Sequence, residues 1–171
     1  VPQSSKLTVL LGSGDREKPL LDYAAAASVQ NYFFAIVDDP EDSNWFDGAC
    51  SAGVDRVCLD SLTQVSLGAA GDVTIDRYGW HLPLDAQEQV VSGAVTVADV
   101  VNFSTQIPAR NNDACETDLG TAQTYNVDFR RGDGQRVQLI GGGLAPTPVA
   151  GKVILDDGSI VPFCIGCGGE E

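Results

Sequence analysis

Arg131-Gly132-Asp133 places a guanidinium and a carboxylate two residues apart. On a tight turn such a pair can bridge a receptor carboxylate and a receptor metal ion, and this tripeptide is the one that integrins recognise. The same residues, followed by Gly134, also read as a hairpin tip with solvated charges, because Asp-Gly suits tight turns. Asp38, Asp39, Glu41, Asp42 and Asp47 form a second group. Hard cations such as calcium take several carboxylate and carbonyl oxygens, so Asp38, Asp39 and Asp42 are candidate metal ligands. Pro40 and the missing alternate-residue spacing argue against EF-hand geometry, and a solvated insertion is the simpler reading. His81 is the sole histidine. A catalytic triad would need it beside a nucleophile and an orienting acid, and no Gly-x-Ser-x-Gly elbow occurs. A surface or half-buried strand histidine is expected instead. Gly12-x-Gly14 lacks the third glycine and the Lys-Ser/Thr of a phosphate loop. Asn102-Phe103-Ser104 is a formal glycosylation sequon set in the middle of a strand. These residues assemble no acid, base and nucleophile, so the chain is expected not to be an enzyme.

Five cysteines stand at 50, 58, 115, 164 and 167. Cys164-Ile165-Gly166-Cys167 has the spacing of half a zinc site, but a tetrahedral site needs a second pair of ligands. A redox Cys-x-x-Cys opens a helix after a strand, whereas this one sits among the glycines of a loop or chain end. Disulfides in an oxidising compartment are therefore expected. Cys50 and Cys58 flank a short polar loop and are expected to pair. The odd count leaves one thiol free, or paired outside this sequence.

The 171 residues carry 24 acidic and 10 basic side chains, a net charge of −14. Nucleic-acid affinity rests on Lys and Arg neutralising phosphates, so that partner class is excluded. No apolar run reaches the roughly 18 residues of a membrane helix. No basic n-region and apolar h-region opens the sequence; the chain is expected to start after a cleaved signal or inside a longer protein. With 43% hydrophobic residues it can bury a core.

Strand signals dominate the elements that must position these residues. Val101, Phe103 and Thr105 alternate with Asn102 and Ser104, and Tyr125, Val127 and Phe129 with Thr124, Asn126 and Asp128. This period of two puts one face on a core and the other toward solvent. Residues 95–101 read as a hairpin turning at Ala98-Asp99, and Asp157-Gly158 turns another. Residues 22–27 are alanine-rich and predict a short helix; residues 59–63 predict a turn or short helix. Residues 38–60 read as an acidic surface insertion within a single domain, 1–171. Short strands at 8–12-residue intervals predict a sandwich, barrel or propeller. At about 40–50 residues a blade, the length corresponds to about three to four blades.

The order of motifs chooses among these. Leu7-Thr8-Val9-Leu10-Leu11 leads into Gly12-Ser13-Gly14, then Arg16-Glu17-Lys18-Pro19-Leu20, then Gln30-Asn31-Tyr32-Phe33. Gly79-Trp80-His81-Leu82 follows, with Glu88-Gln89-Val90-Val91, Pro108, Cys115, the 121–128 strand and Gly141-Gly142-Gly143. In this order they resemble the C-terminal β-propeller of the PilY/PilC-type adhesins of type IV pilus tips, over most of positions 7–165. The resemblance implies an all-β fold: a partial propeller of four-stranded antiparallel blades, with a β-sandwich as the alternative. It implies a non-catalytic, extracellular module acting in pilus biogenesis and adhesion. Its partners would be minor pilins, a host or surface receptor, and the remaining blades of its own parent chain. The Asp-rich calcium loop of such propellers is not matched here, so the resemblance places calcium bound through that loop on a blade outside this sequence. A carbohydrate-binding or structural propeller is a further reading, with Trp45 as an exposed aromatic able to stack on a sugar. A propeller enzyme is the third.

Overall fold

The computed structural model of the chain describes residues 6–15, 17–18, 28–51, 53, 56–68, 73–109 and 118–168. Cys115 and the helix expected at 22–27 lie outside them. The described residues form eleven strands: β1 Leu7–Gly12, β2 Tyr32–Asp38, β3 Thr63–Gln64, β4 Gly79–Pro83, β5 Gln89–Val90, β6 Val95–Val97, β7 Val100–Ile107, β8 Thr121–Asp128, β9 Gly134–Gln138, β10 Val149–Ile154 and β11 Ile160–Ile165. A single 3-10 turn, Leu59–Ser61, precedes β3.

The fold is all-β. The first sheet runs β1-β2-β4-β3, antiparallel except for the two-residue β3, which lies parallel to β4. The second is wholly antiparallel. Its strands run β5-β7-β8-β9, with β6 also paired to β7. Because β5 meets residues 105–106 and β6 meets residues 100–102 of β7, the two short strands share one edge, and the sheet is four strands wide. A separate hairpin, β10-β11, follows. The described residues therefore make two four-wide sheets and a hairpin, fewer than the length alone predicts, because the 38–60 insertion and the loops take up residues.

The period-two pattern builds the core. Phe33 and Ala35 of β2 and Trp80 and Leu82 of β4 face Val101 and Phe103 of β7 and Tyr125 and Val127 of β8, all of them buried. Phe33 stacks on Phe103 at 3.8 Å between ring centres, and Phe103 stacks on Tyr125 at 4.7 Å. The Trp80 indole donates to the Phe129 carbonyl at 2.9 Å, tying the first sheet to the second. Gly79 makes the approach of β4 to β2 possible: its φ is +105°, and a Cβ there would meet the Ala35 carbonyl oxygen at 1.9 Å.

Two expectations about surfaces change. The second sheet was expected to turn Asn102 and Ser104 to solvent, yet both are buried, as are Gln106 and Thr124. A sheet in the middle of a stack is covered on both faces. Ser92 Oγ accepts from the Ser104 N–H at 2.8 Å, and Asn126 Nδ2 donates to the Gly168 carbonyl at 2.9 Å. The 38–60 insertion is largely exposed among its described residues, but part of it also packs on the first sheet. Trp45, with Phe46, Ala49, Val57, Leu62 and Tyr78, forms a second apolar cluster on the outer face of the first sheet, against Phe34 and Ile36. Trp45 is 7% exposed and its indole donates to the Val37 carbonyl at 2.9 Å. It cannot serve as the exposed sugar-stacking aromatic that the sequence suggested.

Candidate functional site

A cleft of about 450 Å³ opens between the two sheets. The 65–68 loop and Leu82 and Pro83 of β4 form one side; Asp85, Tyr125, Gly134 and Arg136 form the other. Beneath it lies Glu88, whose side chain is wholly buried. The Glu88 carboxyl accepts from the Tyr125 hydroxyl at 2.8 Å and from Thr105 Oγ1 at 2.5 Å through one oxygen. Its other oxygen accepts from the Asp85 N–H at 2.9 Å and lies 3.8 Å from Arg136 Nη1. The Asn31 side chain donates to the Glu88 carbonyl at 2.9 Å. One residue of a turn thus binds β7, β8, β9 and the segment before β2.

Arg136 reaches all its acceptors through Nη1: Asp85 Oδ2 at 2.5 Å and the Tyr125 hydroxyl at 3.3 Å, besides Glu88. The hydrogen bond with Tyr125, and then the one to Asp85, raise the Arg136 pKa further, so the guanidinium stays charged. Burial, with the neighbouring Glu88, pushes the Tyr125 phenol well above its usual value. Tyr125 thus stays protonated, accepting from Arg136 and donating to Glu88.

Glu88 escapes sequence reasoning because Asp85-Ala86-Gln87-Glu88 looks like a solvated polar turn. The available signal was indirect. Thr105 lies in phase with Val101 and Phe103, and Tyr125 with Val127; polar groups on an apolar face require a buried partner.

Arg131, Gly132 and Asp133 do lie together on the turn between β8 and β9, beside the cleft. Gly132 carries the positive φ, +66°, where the sequence pointed to Asp133-Gly134, and a Cβ at Gly132 would meet Val65 at 2.5 Å. Both charged groups are engaged within the chain. Arg131 Nη2 donates to Asp128 at 3.1 Å. The Asp133 carboxyl accepts from the Gly134 and Gly68 N–H groups at 2.7 and 3.2 Å. Partial burial works against ionisation of Asp128. The Arg131 backbone and side chain and the Arg130 N–H outweigh it and hold the carboxyl below the usual range.

The acidic group is more dispersed. Asp39 accepts from the Glu41 N–H at 3.2 Å and Asp42 from the Asn44 N–H at 3.0 Å, so these carboxyls cap local turns. Asp38, Asp39 and Asp42 line a shallow depression with Trp45 and Phe46. Among the described residues, the one trio of potential ligand groups within 4.8 Å of one another is Cys50, Cys58 and Asp60. There the two sulfurs form a disulfide. A second disulfide joins Cys164 and Cys167.

His81 is buried at 5% exposure, not a surface or half-buried residue. It sits edge-on to Tyr32 at 5.6 Å. Burial lowers its pKa, partly offset by a hydrogen bond to the Leu62 backbone. Among the described residues its Nδ1 has no hydrogen-bond partner.

No family model and no curated protein sequence matches the chain. Among solved structures, the crystal structure of the Pseudomonas aeruginosa PilY1 C-terminal domain aligns with 94% of this chain at a TM-score of 0.53 and 13% sequence identity. The aligned part is 42% of that chain, so this sequence spans less than half of the solved domain. Face-to-face packing of two sheets is common to neighbouring blades and to sandwiches. The likeness favours the former: this chain has the fold of part of the PilY1 C-terminal domain, a β-propeller.

Proposed function

We propose that the chain is a non-catalytic, cell-surface module of a type IV pilus tip-associated protein, acting in pilus biogenesis and adhesion through protein partners. The observation that carries this reading is the likeness to the PilY1 C-terminal domain over 94% of the chain. The order of the Gly12-to-Phe33 and Gly79-to-Leu82 motifs supports it independently. Two disulfides fit export to an oxidising compartment. The partners under this reading are minor pilins of the tip complex, a host or surface receptor, and further blades of the parent chain. Calcium, if used, belongs to a blade outside these residues.

The test is an in-frame deletion of this segment in the organism of origin, with pili counted in sheared surface fractions and the protein located by immunogold labelling. Loss of surface pili, and label at pilus tips in the parent strain, are the expected results. Normal piliation with the protein confined to the cytoplasm would overturn the reading.

A further inference from the structure

The cleft above Glu88 has the free valences of a ligand site. Arg136 spends only Nη1 on the protein, so its Nε and Nη2 edge makes no hydrogen bond among the described residues. Asp85 spends Oδ2 on Arg136, and its Oδ1 makes no hydrogen bond among the described residues. The two side chains are 40% and 55% exposed at the rim. A carboxylate oxygen and a pair of N–H donors on one ion pair are therefore available at the rim, and Arg136 is anchored through Nη1 to Asp85 and Tyr125. Across the cleft, the half-buried Leu67 and Pro83 supply an accessible apolar wall over the buried Val65 and Leu82.

We infer that this cleft binds a neutral saccharide. Each hydroxyl of a vicinal diol both donates and accepts. One hydroxyl can donate to the Asp85 carboxylate while its neighbour accepts from the Arg136 edge, in charge-assisted hydrogen bonds. The Arg136 charge is already matched by Asp85 and faces the Glu88 carboxyl as well, so the rim offers no net positive charge to an anionic ligand. A pocket with an apolar wall and a few convergent polar groups suits a ring with one C–H face and one hydroxyl edge. The site is independent of Trp45 and does not rest on the pilus reading.

The experiment titrates the ¹⁵N-labelled 171-residue chain with glucose, galactose, mannose, N-acetylglucosamine and glycerol. Expected is saturable movement of the Gly68, Asp85 and Gly134 amides with at least one monosaccharide and none with glycerol, whose diol lacks a ring to place on the wall. Asp85→Ala, at an exposed rim position, should weaken that binding about tenfold or more, as should Leu67→Trp, which fills the cleft and leaves the charged pair intact. The inference is overturned if no monosaccharide moves these amides, if glycerol moves them equally, or if folded Leu67→Trp binds as the parent does.

Discussion

Glu88 shows how much one buried group can organise. Its carboxyl collects two hydroxyl donors and one backbone N–H, and truncation would leave all three without their acceptor. A buried donor left unsatisfied costs about 1–3 kcal/mol, and the Thr105 and Tyr125 hydroxyls both lose their acceptor, so Glu88→Ala should lower the urea midpoint by the equivalent of about 2–6 kcal/mol. Glu88→Gln should cost less, about 1–3 kcal/mol, because its amide still fills the space but sets a donor against either the two hydroxyls or the Asp85 N–H. Equal stability of all three proteins would show that the network is idle. His81 makes a second case. Its burial means that His81→Ala should cost about 2 kcal/mol, where a surface residue would cost almost nothing. Its pKa is lowered in the fold from 6.5. Below that value the unfolded chain takes up a proton that the folded chain resists. The stability from the neutral ring is thus complete above pH 6.5 and is lost as pH falls toward the folded value. Urea unfolding between pH 7.5 and 5 should show this loss in the parent and not in His81→Phe.

At the scale of elements, the 38–60 insertion behaves as a cap on the first sheet. Trp45 stands edge-on to Tyr78 at 5.8 Å, with Lys6 and Arg77 against its ring, and the Cys50–Cys58 bridge closes the far end. Trp45→Ala should destabilise the protein by about 3–5 kcal/mol, and the Cys50→Ser/Cys58→Ser pair by about 2–3 kcal/mol. Amide hydrogen exchange should localise both losses to residues of the first sheet, leaving β7 and β8 protected. Uniform loss of protection would mean that the cap and both sheets unfold as one unit. The strands themselves were legible: β7, β8 and the turns at Ala98-Asp99 and Gly158 follow from period-two alternation and local turn chemistry. The residues 59–63 likewise contain the short 3-10 turn that was anticipated. The cap was not legible, because an acidic, Gly- and Ser-rich segment disperses its apolar members Trp45, Phe46, Ala49 and Val57 without any period. Burial of Asn102, Ser104 and Gln106 was equally hidden. Alternation reports which residues share a face and is silent about what covers it. The cleft pairs Asp85 with Arg136 across 51 positions, a separation at which no local pattern operates.

At the scale of the molecule, the stack of sheets ends abruptly on both sides. On the outer face of the first sheet the cap leaves Leu7, Val9 and Leu11 of β1 exposed, each by more than half. At the other end, the register of β10 and β11 places Val149, Gly151 and Val153 opposite Ile165, Phe163 and Val161. That face of the hairpin is wholly apolar, and its large side chains are exposed. A two-stranded hairpin is marginal in water without further strands or a packed face, and open apolar sheet surfaces invite association. The 171-residue chain should therefore self-associate at micromolar concentration, seen by size-exclusion chromatography with light scattering. Val153→Lys with Val161→Glu should return it to a monomer. These two positions are directly opposed across the hairpin, so the new charges pair with each other while covering the apolar face. A parent chain that stays strictly monomeric and thermally stable would mean that its ends need no cover. The partial-propeller architecture would then have to yield to a self-contained sandwich.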